Sequence, residues 1–122
     1  MQSMLSATTV PVSERVWGFL AHAHDGLQIH RAPEWERVLA LGVLGGQASR
    51  SPLSIHVLLV GRFRRSYRHL VRASYALTHA YEVTAILPDL HLMSRSWFDA
   101  LECEGGDPWA RATSTSVELL RD

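Results

Sequence analysis

Six residues, Ile55-His56-Val57-Leu58-Leu59-Val60, lie between a stretch rich in Gly, Ser and Pro and a glycine at position 61. Five of the six are large aliphatics, and a short apolar run bounded in this way reads as a buried β-strand. A second run, Val38 to Leu44, comes just before the turn, where Gly45-Gly46 favours a strand end over a helix. A third, Tyr81 to Leu87, is rich in β-branched residues and stops at Pro88, as a strand should. Strands this apolar need helices to cover them, and the rest of the chain supplies helical patterns.

Ser13 is placed to cap a first helix, about 13 to 24, with Val16, Trp17, Phe19, Leu20 and Ala23 at helical spacing and Asp25-Gly26 as its stop. Pro33 opens a short helix through Trp35 and Glu36. A clear helix follows Gly61, from about Arg64 to Ala80, with Tyr67, Leu70, Val71, Ser74, Leu77 and Thr78 on one side. Arg65, Arg68, His69 and Arg72 lie on another. Trp97, Phe98 and Leu101 mark a helix over Met93 to Cys103, Pro108 starts a last one containing Trp109, and Ser116-Val117-Glu118-Leu119-Leu120 closes the chain. The expected fold is α/β (α+β), a small mixed sheet of three to four strands with helices packed on it. At 122 residues the chain reads as one compact domain, 13–122, behind a flexible N-terminal tail, 1–12.

No run approaches the roughly 20 apolar residues of a membrane span, and the first nine residues lack a basic segment and an apolar core. Cys103 has no partner for an intramolecular disulfide. A cytoplasmic protein is expected. All twelve basic residues are Arg, and Lys and Asn are absent, which points to a GC-rich and therefore bacterial coding background. Formal charge cancels, yet its distribution is uneven. Arg62, Arg64, Arg65, Arg68 and Arg72 occur with no acid among them, whereas eight acids stand against three Arg after Tyr81.

The stripe Arg65, Arg68, His69, Arg72 is the candidate anion- or partner-binding surface, because Arg pairs bidentately with phosphate and Tyr67 and Tyr75 are nearby for stacking. The zero net charge stands against a nucleic-acid reading of the stripe, as does the common role of such a stripe as a solvated helix face. An acidic protein, or the acidic C-terminal third of a second copy, fits the stripe as well as nucleic acid does. A protein partner or homo-oligomer is expected, with nucleotide as a further candidate and nucleic acid not favoured. Of the four tryptophans most are expected in the core, and Trp35 and Trp109 at a partner interface. His22, His24 and His30 are close in sequence, but helical residues two apart diverge and no Cys or Glu-x-x-His accompanies them, so no metal site is expected there. No Gly-x-Ser-x-Gly is present, and Cys103 stands between two glutamates that would raise its pKa, so neither a serine nor a cysteine nucleophile is expected.

The segment Gly42-Val43-Leu44-Gly45-Gly46, the polar turn Gln47 to Pro52 and Ser54-Ile55-His56-Val57-Leu58-Leu59-Val60 together resemble the front of a minimal DNA-polymerase-β-like nucleotidyltransferase. In that family a Gly-Ser turn precedes Ser-Asp-hydrophobic-Asp-Leu-Leu-Val. The resemblance extends from roughly Trp35 to the C terminus, where Ser116-Val117-Glu118-Leu119-Leu120 looks like the family's closing segment. It implies a nucleotide-binding role for Gly45, Gly46 and Ser54, and it sets Ile55 and Val57 where the family has its Mg²⁺-binding Asp pair. Thr84 or a neighbour stands where the family has its third acid. Aliphatic side chains cannot hold Mg²⁺, and His56 points to the opposite strand face from Ile55 and Val57. The expectation is therefore a catalytically degenerate, nucleotidyltransferase-like binding or regulatory module without catalytic residues, metal or cofactor. Small family members often work in bacterial toxin–antitoxin or defence pairs, which the resemblance extends to this chain. The alternatives are an active Mg²⁺-dependent enzyme with acids supplied elsewhere, such as Glu82 or Asp89 or a second subunit, or a phage or mobile-element protein that inhibits a host complex by protein contact.

Overall fold

A computed structural model of the chain describes residues 12–45, 54–103 and 108–121. Its elements run α1 (Val12–His30), β1 (Trp35–Ala40), a 3₁₀ turn (Val43–Gly45), β2 (Ser54–Gly61), α2 (Ser66–Thr84), β3 (Leu87–Ser94), α3 (Arg95–Cys103), α4 (Pro108–Ser114) and β4 (Val117–Arg121). The strands form one mixed sheet in the order β3-β2-β1-β4. β1 is antiparallel to both β2 and β4, and β2 is parallel to β3 through the α2 crossover. This is the α/β class with a small mixed sheet expected from the sequence. Among the described residues no helix is long and apolar enough to cross a membrane.

β2 explains the layering. Its side chains alternate, so Ile55, Val57 and Leu59 join Val38 and Ala40 of β1 under α1 and α2, in a core that also holds Phe19, Leu27, Trp35, Leu77 and Ile86. Leu58 and Val60 point the other way, with Leu39 and Leu41, into a smaller cluster closed by Phe98 of α3 and Ala112 of α4. From Val57 onward the strand is buried on both faces, which is why its sequence there is continuous in aliphatics.

Four boundaries differ from the sequence reading. Asp25-Gly26 does not stop α1, which runs on to His30. Gly26 is instead where α1 crosses α2: a Cβ there would lie 1.9 Å from the backbone oxygen of Ala76. Pro33 opens no helix; a turn in which Trp35 N–H donates to the Ala32 carbonyl leads directly into β1. β1 then ends at Ala40 rather than Leu44, because Gly42 takes a positive φ of 69° before the 3₁₀ turn. The third apolar run is not a strand over 81–87. Ala80 and Thr84 continue the buried face of α2, and β3 begins only at Leu87. Pro88 sits inside β3, which a sheet-edge strand tolerates.

α1 and α2 are antiparallel, and each ends on an arginine from the other. Arg15 Nη2 donates to the Thr84 carbonyl at 2.9 Å at the end of α2. Arg72 donates through Nε to the His30 carbonyl and through Nη2 to that of Arg31 at the end of α1. Cationic groups here satisfy orphan carbonyls and complement the negative end of each helix dipole. α2 then leaves the helical path at Ala85, whose φ of 59° is the left-handed region and whose N–H donates to the Tyr81 carbonyl at 2.7 Å. Glycine adopts that conformation without the Cβ penalty, so Ala85→Gly is expected to raise stability by about 1 kcal/mol in urea unfolding, with the m-value unchanged.

Candidate functional site

The N-terminal half of α2 and the segment entering it border an open groove of about 940 Å³, lined by Ala32, Glu34, Arg62, Arg64, Arg65, Tyr67, Arg68, His69, Val71, Arg72 and Tyr75. Residues 65, 68, 72 and 75 recur at three- and four-residue steps and so form one ridge, about 15 Å long at 1.5 Å per residue. Arg64, Arg65 and Arg68 are exposed, and none forms an ion pair within the described residues. Tyr67 and Tyr75 are 78% and 70% exposed, so most of each side chain is open to a ligand. The first turn of α2 adds to the positive character, since its N-cap residue, Arg65, makes no side-chain cap to the free N–H groups. Arg62 at the groove mouth reaches Glu36 at 3.8 Å. Glu36 also accepts from Arg95 at 2.8 Å, and Asp99 and then Glu36 raise the Arg95 pKa above its ordinary value.

The arginine stripe expected from the sequence is therefore divided in the structure. His69 lines the groove only from beneath: it is buried on the inner side of α2, its Nδ1 accepts from Trp35 Nε1 at 2.9 Å, and its ring packs edge-on against Phe63. Its spacing to Ala73, Ala76 and Ala80 gave the signal, since these share the buried stripe. Arg72 is bound to the end of α1, which leaves Arg65 and Arg68, with Arg64, as the outward cations. Trp35 has no exposed surface and is a core residue, not an interface one; the strand that replaced the expected helix turns its indole inward. The expectation that most tryptophans are buried is also corrected, because Trp17, Trp97 and Trp109 are all exposed.

Of the residues assigned to nucleotide binding, Gly45 ends the 3₁₀ turn, Ser54 is the exposed first residue of β2, and Gly46 lies outside the described residues. Ile55 and Val57 are 5% and 0% exposed, in the core beneath α1 and α2. Carboxylates there would face aliphatic side chains. Thr84 is buried at the end of α2, where its hydroxyl donates to the Ala80 carbonyl, and Glu82 is exposed on the last turn of the same helix.

On the opposite sheet face, parallel pairing sets His56 of β2 against Asp89 of β3, and His91 follows two residues later on the same side. His56 Nδ1 lies 2.9 Å from His91 Nε2 and 3.1 Å from Asp89 Oδ2. The sequence reading weighed His22, His24 and His30 as possible ligands and passed over this group. His24 instead donates through Nδ1 to the Leu119 carbonyl at 2.7 Å, and His22 packs edge-on against His79. The signal for the other group was Asp-x-His at one strand parity, but its third member lies 33 residues earlier and is brought in only by the register of β2 against β3. Comparison with protein-family models, with curated proteins and with solved structures returns no match for this chain.

Proposed function

We propose that this chain is a nucleotidyltransferase-like binding module without transfer chemistry, and that its working surface is the α2 groove, which takes a single-stranded nucleic acid. The observation that carries this reading is the convergence of Arg64, Arg65 and Arg68, unpaired among the described residues, with two exposed tyrosine rings around one groove. Guanidinium forks match phosphate oxygens, and exposed aromatic faces stack on bases of any identity, which is the combination that non-specific single-strand binders use. No carboxylate occurs between Glu36 and Glu82, so nothing on the outer face of α2 near the groove repels a phosphate chain apart from Glu34 at its rim. Burial of Ile55 and Val57 supports the non-catalytic half of the reading, since a Mg²⁺–nucleotide complex could not approach them.

Fluorescence anisotropy with labelled single-stranded RNA and DNA across a salt series tests the proposal. Expected is micromolar binding that weakens as salt rises. Arg64→Ala/Arg65→Ala/Arg68→Ala is expected to lower affinity at least about tenfold and to flatten the log–log salt slope by about 2, since each single-strand phosphate contact contributes roughly 0.7. Tyr67→Ala/Tyr75→Ala should weaken binding by about tenfold or more with the slope retained, as lost stacking does. Binding that ignores both substitutions would sink the proposal, and capture of an acidic peptide in place of either oligonucleotide would move the groove to a protein partner.

A further inference from the structure

We propose that His56, Asp89 and His91 form a binding site for a divalent cation of borderline softness, zinc in the first instance, on the sheet face away from α1 and α2. All three side chains are thrown to that face by strand parity and brought into register by the parallel pairing of β2 with β3. One ligand atom from each can be chosen so that all lie within 4.8 Å of one another.

The separations suit a common centre. Zinc–nitrogen and zinc–oxygen bonds of about 2.0 to 2.1 Å in a tetrahedron put neighbouring ligand atoms about 3.3 Å apart. The two ring nitrogens lie 2.9 Å apart, His56 Nδ1 is 3.1 Å from Asp89 Oδ2, and His91 Nε2 is 3.8 Å from the other carboxylate oxygen, Oδ1. With one carboxylate oxygen as the ligand the three atoms lie within 4.8 Å of one another, and rotation of the exposed Asp89 carboxylate and His56 ring is what closes them on a common centre. His56 Nδ1 faces both a carboxylate oxygen and a second ring nitrogen, and a proton on either ring can be shared within the cluster. A cation replaces that proton and takes all three groups as donors of electron pairs.

Two imidazoles and one carboxylate favour zinc, cobalt or nickel over Mg²⁺ and Ca²⁺, which prefer all-oxygen shells. Three protein ligands leave at least one coordination position, and with His56 and Asp89 both more than half exposed that position opens to solvent. Trp109 of α4 stands edge-on to the His91 ring, centroids 5.2 Å apart, and limits how that ring can turn. The site is separate from the α2 groove, lying near the start of β2 rather than past its end.

The test uses the full, tag-free chain stripped of metal. Expected is one equivalent of Zn²⁺ bound in competition with a chromophoric chelator, and visible d–d absorption of tetrahedral type when Co²⁺ is substituted. His56→Ala, Asp89→Asn and His91→Ala should each weaken Zn²⁺ binding at least about tenfold, since loss of an outer-shell partner alone costs 10- to 100-fold. All three residues are at least partly exposed, so thermal unfolding of each metal-free variant should match the parent and show that the fold is kept. His22→Ala/His79→Ala removes the other paired histidines and should leave affinity and Co²⁺ spectrum unchanged. Zn²⁺ affinity equal in the parent and His56→Ala/His91→Ala, or lost only in His22→Ala/His79→Ala, would overturn the proposal.

Discussion

Val57→Asp, which places in β2 the carboxylate that a nucleotidyltransferase has at the corresponding position of the resemblance, is expected to abolish cooperative folding at 25 °C. Val57 has no exposed surface, pairs with Ala40 in the antiparallel register, and lies in the core under α1 and α2. Among the described residues the cluster around this position is apolar, so an Asp there must either ionise without solvent or fold neutral and still lose its hydration. Adding the lost aliphatic burial, the cost is on the order of 5 kcal/mol, comparable with the whole stability of a small domain. Ser54→Asp, three residues earlier and exposed, is expected to change stability by no more than about 0.5 kcal/mol. Circular-dichroism melts of the two variants check this. A Val57→Asp chain melting within a few degrees of the parent would mean that this side of β2 reaches water, and would reopen the enzyme reading.

Two glycine-to-alanine substitutions in α1 are expected to act with opposite signs. At Gly26 an added Cβ would sit 1.9 Å from the Ala76 carbonyl oxygen and 3.1 Å from its carbon, and both obstacles are backbone. The helices must separate by more than an ångström, opening gaps along a contact that includes Ala23, Leu27, Ala73 and Leu77. Overpacking of this kind costs up to about 3 kcal/mol, occasionally more, and the roughly 1 kcal/mol that alanine gains in helix propensity offsets only part of it. At Gly18 the nearest atom to an added Cβ is the Thr84 methyl at 3.9 Å, ordinary contact, so the propensity gain of about 1 kcal/mol stands alone. Urea midpoints should fall for Gly26→Ala and rise for Gly18→Ala. If both rise, the two helices are not in close contact at Gly26.

Local patterns were legible wherever one residue's environment depended on its near neighbours. The aliphatic run of β2, the presence of a helix after Gly61, Pro108 as a helix start and the parity that separates His56 from Ile55 and Val57 all follow from spacing, whereas the buried face of α2 was misread: Tyr67, Ser74 and Thr78 are exposed, and His69, Ala73, Ala76, Leu77, Ala80 and Thr84 are buried. The misread places each have a distant cause. Gly26 looked like a helix stop because, in isolation, Asp-Gly ends helices, and only the Ala76 backbone explains a glycine inside α1. Tyr81 to Leu87 scored as a strand on composition, yet the burial of Ala80 and Thr84 against α1 kept it helical to Thr84. His69 looked cationic beside the three arginines of its stripe until the indole of Trp35, 34 residues away, occupied its nitrogen.

By itself the sequence determined the α/β class, the positions of β2 and α2, the acid-free stretch that makes the groove cationic, and the absence of carboxylates at 55 and 57. Tertiary structure alone decided which arginines face outward, since Arg72 is drawn to the end of α1 and Arg64, Arg65 and Arg68 are not. It also decided that His56, Asp89 and His91 meet, because strand parity sets the face of each residue but only the pairing of β2 with β3 sets which residues of the two strands lie side by side.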